Sequence, residues 1–477
     1  MFGSLDEHDA VGLAGLVQSG EIKATEVLDA SAQRIEERNP RLNAVVHRTY
    51  DQAAKQIAEG LPSGPFQGIP LLLKDMGTAA AGIPLTLGSR LFENFVPGAD
   101  STLAARYRRA GFVLIGRTNT PEFALSFSCE PELFGPARNP WDSSRTAGGS
   151  SGGAAAAVAS GMVPLAHASD GAGSTRVPAS HCGVFGFKPT RMRNPMGPDV
   201  AEILAGMSTP HCISISVRDS ATLLDVTAGP DIGDPFAAPT PDRPFRAELE
   251  RDPRPLKIGM MLRSPLGTSI DEQCLDRTKS AAKLLEEIGH RVEQTEMSYD
   301  CHALKDAWRL IAGVATARMV FARARHLRMG DPLPQLEPVN REWVEEGRGI
   351  DGIAYLSAVE TLHRVGRALG RFFETYDVFL SPLTTELAPR LGEMASSGRS
   401  LATFYDRFWS HSPFTCAFNA SGGPAMSVPL GESAEGLPIG IHLGAALGED
   451  GMLFALAGQL ERAAPWRGRV AKPRAEH

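Results

Sequence analysis

Two serines in glycine-rich settings, both downstream of a lysine that ends an apolar run, are the residues of this chain best suited to chemistry. The three segments are Gly-Ile-Pro-Leu-Leu-Leu-Lys-Asp (Gly68–Asp75), Gly-Gly-Ser-Ser-Gly-Gly (Gly148–Gly153) and Asp-Gly-Ala-Gly-Ser-Thr-Arg-Val-Pro (Asp170–Pro178). Glycines beside a serine let backbone approach a substrate closely and let several N–H groups point at one spot. Acyl transfer needs such a spot for the oxyanion, together with a nucleophile, a base for its proton and an acid for the leaving group. A lysine that follows Leu71–Leu73 is placed to be desolvated, which depresses its pKa and makes it a candidate base.

Other chemistries find less support. His167, His181 and His211 are the histidines nearest these motifs, but none has a recognisable partner pattern. Gly-x-Ser-x-Gly does not occur around Ser174, which argues against a nucleophile elbow. The sequence has no His-Glu-x-x-His, cysteine pair or carboxylate cluster to suggest a metal, and Gly-Ser-Ser-Gly lacks the Gly-Lys-Ser/Thr of a phosphate loop. Neither a metal nor a cofactor is expected.

The three segments, in this order and spacing, resemble the amidase signature family. The likeness extends to Gly111–Asn119, Phe134–Trp141, Cys182–Thr190, and Pro424–Pro429 with Gly436–Gly444. The resemblance implies a Lys–cis-Ser–Ser triad, with Lys74 as base, Ser150 as relay after a cis peptide from Gly149, and Ser174 as nucleophile. The N–H groups of Gly171, Ala172, Gly173 and Ser174 then form the expected oxyanion hole. Ala172 stands where the family usually has glycine, and Thr175 where it usually has isoleucine; an N–H is supplied by any residue except proline, so such a nest works with Ala172. Ser151 is expected to support the site rather than act in it. Asp170 and Arg176 are read as a pair that holds the loop, although in part of the family the equivalent arginine sits near substrate carboxylates. Asp75 is read as structural, since contact with Lys74 would raise the lysine pKa and oppose its role.

The expected substrate pocket draws on Leu125, Ser126 and Phe127; Trp308, Leu310 and Ile311 of the helix expected at Ala303–Val320 are read equally as a further wall or as core packing. The stretch from Asn194–Pro198 to His211 resembles the branch of the family with 6-aminohexanoate-cyclic-dimer hydrolases, aryl acylamidases and urethanases. That implies small, largely uncharged amides, linear, cyclic or anilide, and aryl carbamates as a further class. The alternatives are the glutaminase subunit of a tRNA-dependent amidotransferase, and a non-catalytic family member acting as a binding module.

The elements that must position these motifs alternate between helix and strand. Strands are expected at Ile69–Leu73, Phe112–Ile115, Val163–Ala168, Leu256–Met261, Arg291–Thr295, Asp377–Leu380, Ala425–Val428 and Ile439–Leu443. Helices are expected at Leu13–Leu16, Thr25–Arg38, Ser101–Ala110, Ala154–Ala159, Asp271–Ile288, Ala303–Arg325, Tyr355–Phe373 and Met452–Leu460, with Thr25 capping the second and Asn39-Pro40 stopping it. The Pro- and Gly-rich stretch Thr118–Gly153 is long enough to imply a functional loop. The predicted fold is one α/β domain over 1–466, a mixed twisted sheet wrapped by helices, with a basic, flexible tail at 467–477.

The chain has 477 residues, 43% hydrophobic and 22% charged, enough for a large core. A net charge of −7 argues against nucleic acid as an obligatory partner. No N-terminal apolar segment suggests export, and no run approaches the about 20 apolar residues of a membrane span. Six scattered cysteines read as buried, reduced thiols. The reading is a cytoplasmic enzyme with a small-molecule substrate, no membrane association, and a monomeric or homodimeric state.

Overall fold

Leu71, Leu72 and Leu73 have no solvent exposure, as a strand covered on both faces requires. In the computed structural model, which describes residues 7–468 and 471, they belong to an eleven-stranded mixed sheet. Its strands in chain order are β1 (Val45–Arg48), β2 (Pro70–Lys74), β3 (Val113–Thr118), β4 (Leu165–Asp170), β5 (Phe185–Lys188) and β6 (Thr209–Ser214), then β7 (Lys257–Met260), β8 (Arg291–Gln294), β9 (Val378–Pro382), β10 (Ala425–Glu432) and β11 (Pro438–Ala445). They lie in the order β1-β3-β2-β4-β6-β5-β10-β11-β9-β7-β8. β2 runs parallel to β3 and β4, and β7 parallel to β8 and β9; the remaining pairs are antiparallel. The molecule is a single α/β domain with helices on both faces of this sheet.

Two helical features position the site. The helix Gly152–Ala159 is Gly-Gly-Ala-Ala-Ala-Ala-Val-Ala and buried along its whole length. Its small side chains let it press on the sheet: a Cβ on Gly153 would sit 2.4 Å from Asn119 N and 2.5 Å from Ala44 O. That contact fixes the start of the helix, and with it the serines just before it. The second feature is an aromatic layer from the helices Cys301–His326, Pro338–Arg348 and Leu401–His411, which buries Trp308, Trp343, Tyr405, Phe408 and Trp409. Phe127 joins it by stacking on Phe408 at 4.0 Å.

The second helix differs from its expected bounds. It spans Ala24–Leu42, with Lys23 rather than Thr25 as its cap, and passes through Pro40. Glu26 accepts from the Lys23 N–H, which starts the helix one residue early. At the other end, the Asn39 side chain and the Val45 backbone hold one another through two hydrogen bonds of 2.7 and 2.9 Å, and Asn43 closes the helix in a left-handed conformation. These tertiary bonds override the proline stop. β1, β5 and β6 lie outside the expected strands; β6 (Thr-Pro-His-Cys-Ile-Ser) looks polar although every residue is buried, and its His211 Nε2 meets Ser220 at 2.8 Å. All six cysteines are buried and free. Among the described residues no helix is long and apolar enough to cross a membrane. Of the tail 467–477, only 467, 468 and 471 are described; there Arg467 lies 3.4 Å from the buried Asp9, and the flexibility expected of the rest falls outside the described residues.

Candidate active site

β2 ends at Lys74 and the parallel neighbour β4 ends at Asp170, so one sheet edge carries the lysine and the loop that follows Asp170. Lys74 is fully buried. Its Nζ lies 2.7 Å from Ser150 Oγ, 3.1 Å from Ser169 Oγ and 3.4 Å from Ser169 O. Burial depresses its pKa to about 7, against the opposing pull of Asp170 and Cys129. Asp75 faces elsewhere: its carboxylate takes the Thr86 N–H at 2.8 Å and the Thr86 hydroxyl, with Arg117 Nε 4.0 Å away. Arg117 in turn donates to the carbonyls of Lys74 and Thr78 at 2.9 and 3.0 Å, bracing the strand end.

The histidines serve structure here. His167 Nδ1 accepts the Lys74 N–H at 3.1 Å, so its hydrogen is on Nε2, 3.0 Å from Thr78 Oγ1. Burial and the nearby cations hold His167 well below the usual histidine range. His181 packs edge-on against His411 at 5.1 Å. Among the described residues, no group of three or more His, Cys, Asp or Glu is arranged to hold a metal ion.

The Gly149–Ser150 peptide is cis. Gly149 has no room for a side chain, since a Cβ would meet Ser126 O at 2.7 Å and Phe127 C at 2.8 Å. Thr120 Oγ1 holds the Ser150 carbonyl at 2.9 Å. Ser151 does not reach Lys74; its N–H donates to Ser174 O at 3.1 Å and its hydroxyl to Ser169 O at 3.3 Å, tying the helix start to the loop. Ser174 is 7% exposed whereas Lys74 and Ser150 are at 0%, so it is the one of the three that faces outward. Among the described residues Ser174 Oγ makes no hydrogen bond, to Ser150 or to any other group. The N–H groups of Gly171, Ala172, Gly173 and Ser174 likewise donate to nothing within the described residues. Four successive amides without an acceptor beside a serine are the donors that an anion-binding nest requires.

Asp170 and Arg176 form a buried pair with both contacts at 2.9 Å. Arg176 also donates to Asn419 Oδ1 at 2.7 Å and Thr415 O at 3.0 Å, and lies 3.0 Å from His442 Nε2. With no solvent exposure and its donors engaged, this guanidinium is part of the loop's support. The Asp170 carboxylate also accepts the Thr175 N–H at 3.2 Å and Asn419 Nδ2 at 2.9 Å, and the arginine holds its pKa well below the usual range against burial.

Phe127 packs against the loop, 3.2 Å from where a Cβ on Gly173 would be. Leu125 and Ser126 line a small cavity with Glu122, Asn340 and Phe404. On the facing helix, Trp308 Nε1 donates to Gly171 O at 3.2 Å; Ile311 is buried in the core and Leu310 packs against it. Sequence reasoning missed Ser169, the second hydroxyl on Lys74. The signal was strand alternation: His167 and Ser169 share one face of β4, and Lys74 meets both.

A large mixed sheet that gathers these motifs at one edge defines a hydrolase of amide C–N bonds. The chain belongs to the amidase signature family, matching the amidase family over residues 26–454. It is 38% identical over 474 residues to a 6-aminohexanoate-cyclic-dimer hydrolase of Paenarthrobacter ureafaciens, across 96% of this chain and 95% of the relative. A solved structure of 6-aminohexanoate cyclic dimer hydrolase complexed with substrate superimposes with a TM-score of 0.91 at 36% identity, covering 98% of both chains. A bacterial aryl acylamidase structure superimposes with a TM-score of 0.88 at 28% identity, covering 98% of this chain and 99% of that one. A glutamyl-tRNA(Gln) amidotransferase chain of Moorella thermoacetica is 33% identical over 457 residues, across 90% of this chain and 91% of that one.

Proposed function

We propose that this protein hydrolyses small, largely uncharged amides through an acyl-enzyme on Ser174, with Ser150 as proton relay and Lys74 as base. The observation that carries the reading is the buried Lys74 amine, 2.7 Å from Ser150 Oγ, with its pKa depressed to about 7. A neutral amine has two hydrogens and one lone pair. The Ser169 hydroxyl and carbonyl offer acceptors for the hydrogens, which leaves the lone pair for the Ser150 hydroxyl hydrogen. The Ser174 hydroxyl, which carries no protein hydrogen bond, turns toward Ser150 as it attacks the carbonyl carbon. Its proton passes to Ser150 Oγ while the Ser150 proton passes to Lys74 Nζ. The oxyanion is held by the amides of Gly171–Ser174. The relay then runs backward, delivering a proton to the departing amine as the C–N bond breaks, and water repeats the cycle to release the acid.

The likeness to cyclic-dimer hydrolases and an aryl acylamidase supports cyclic amides and anilides as the substrate class, and aryl carbamates present the same carbonyl to the same groups. In its test, a fluorophosphonate forms an adduct on Ser174 detected by mass spectrometry, and anilides, primary amides, cyclic amides and aryl carbamates are screened for turnover. Ser174→Ala is expected to fold normally, lose the adduct and lose turnover by at least ~10³. Wild-type turnover in a folded Ser174→Ala protein would remove the mechanism, and no adduct on the wild type would leave a binding module. Ammonia release from glutamine with the other amides untouched would favour the reading as the glutaminase of an amidotransferase, which the likeness to the Moorella thermoacetica chain keeps in view.

A further inference from the structure

The four free amides of the nucleophile loop are aimed from behind. In a trans peptide unit the C=O and the N–H point in opposite directions, so a donor that holds the carbonyl turns the hydrogen away from itself. The unit that carries the Gly171 N–H has the Asp170 carbonyl, which takes Asn419 Nδ2 at 2.9 Å. The unit that carries the Ala172 N–H has the Gly171 carbonyl, which takes Trp308 Nε1 at 3.2 Å. The unit that carries the Gly173 N–H has the Ala172 carbonyl, which takes the Thr415 hydroxyl at 2.6 Å. The unit that carries the Ser174 N–H has the Gly173 carbonyl, which takes the Val177 N–H at 2.8 Å. The last is the ordinary opening of the helix Arg176–Cys182. The other three come from distant parts of the chain.

We propose that Trp308 and Thr415 are positioning residues of the oxyanion hole. They touch no reacting atom. Each holds the carbonyl of a peptide unit whose N–H faces the developing oxyanion, so that the amides need no reorganisation when charge appears. This deepens the reading of Ser174 as nucleophile and rests on it. Two features make the assignment more than packing. Thr415 has one hydroxyl hydrogen, and the Ala172 oxygen is nearer than the other carbonyl it meets, Ser412 O at 3.3 Å. Thr415 Oγ1 also lies 2.6 Å from where a Cβ on Gly173 would be, so the hydroxyl and the absence of a side chain fix the same turn together. Trp308 is held rigid by its stack on Phe408, 5.2 Å between ring centroids.

The experiment compares Thr415→Val, Thr415→Ser and Trp308→Phe with wild type on an anilide. Fluorophosphonate labelling of wild-type Ser174 comes first; its failure would refute the nucleophile and leaves the anchors without a hole to aim. With the adduct established, removing an oxyanion donor outright costs ~10²–10³ in kcat, so loosening its aim is expected to cost about tenfold in kcat for each variant. KM stays within about twofold and the pH limb stays in place, because neither residue touches Lys74. Affinity for an arylboronic acid, which forms a tetrahedral adduct on Ser174, falls in parallel with kcat/KM, and Thr415→Ser restores both. Wild-type kcat in Thr415→Val, a loss carried by KM, or a Thr415→Ser protein as slow as Thr415→Val would overturn the proposal. If Thr415→Val fails to fold, Trp308→Phe, which keeps an aromatic ring and removes the N–H, decides by the same readouts.

Discussion

At the residue scale the site is governed by one desolvated amine. Lys74 titrates near neutrality because burial disfavours its charged form, and only the neutral form can take a proton from Ser150. The sign follows: below about pH 7 the ammonium dominates and the relay is blocked, above it the amine is free. The kcat/KM profile is therefore expected to rise through about pH 7 and level off on the alkaline side, with EDTA without effect. Lys74→Met, which keeps the length and loses the amine, should remove both the limb and most of the activity; a profile already flat across neutrality in the wild type would contradict the base assignment. Ser169 is a second contact of the same amine: its hydroxyl lies 3.1 Å from Nζ, and an acceptor there would favour ammonium over amine. Ser169→Ala is expected to move the limb to lower pH by about one pH unit while the plateau stays near wild type. A limb that moves upward, or does not move, would show that Ser169 does not act on the amine.

At the scale of elements, the proposed role of the Ser174 loop rests on its backbone geometry. Gly173 has φ +145°, and a Cβ there would meet Thr415 Oγ1 at 2.6 Å. Gly173→Ala thus has to move either the loop or the threonine, and is expected to lower kcat at least ~100-fold with a far smaller effect on thermal stability; near wild-type kcat would mean the loop does not need its present shape. Much of this arrangement is legible in the sequence. The Leu71–Leu73 run announces a buried strand, the glycines announce a close turn, and Lys74 meets Ser150 at 2.7 Å, whereas Ser174 Oγ bonds neither. The β6 strand was hidden because its buried polar and proline residues leave no hydrophobic pattern. Trp308 and Thr415 were hidden for another reason. Their partners lie 137 and 243 positions away, and no local periodicity reports a bond that exists only once the helices have packed. Trp308 could be suspected as a wall, but not as a donor.

At the scale of the whole molecule, the proposed substrate class rests on the charge around the site. The arginine in the nucleophile loop is engaged inside the fold: Arg176 is buried and bonded to Asp170, Asn419 and Thr415. No guanidinium hydrogen is left for a substrate carboxylate, and releasing one would leave Asp170 buried without its partner, a loss of about 3–5 kcal/mol. Phe127, Phe408 and Trp308 stack in a buried aromatic layer behind the loop. A substrate carboxylate brought to Ser174, itself only 7% exposed, would be desolvated there without a partner. An aryl carbamate offers Ser174 the same planar carbon and the Gly171–Ser174 amides the same oxygen. Its phenolic leaving group departs without the proton that an amine requires, so less depends on the return step through Ser150. Its carbonyl is less electrophilic than that of an activated anilide, which offsets part of the gain. The expected outcome is measurable turnover of aryl amides and small aryl carbamates, with amino-acid amides that carry a free carboxylate poorer by at least about tenfold in kcat/KM. Carbamate turnover should also be less sensitive to Ser150→Ala than anilide turnover is. A strong preference for a dicarboxylate monoamide, with anilides and carbamates untouched, would mean that Arg176 leaves Asp170 to meet substrate.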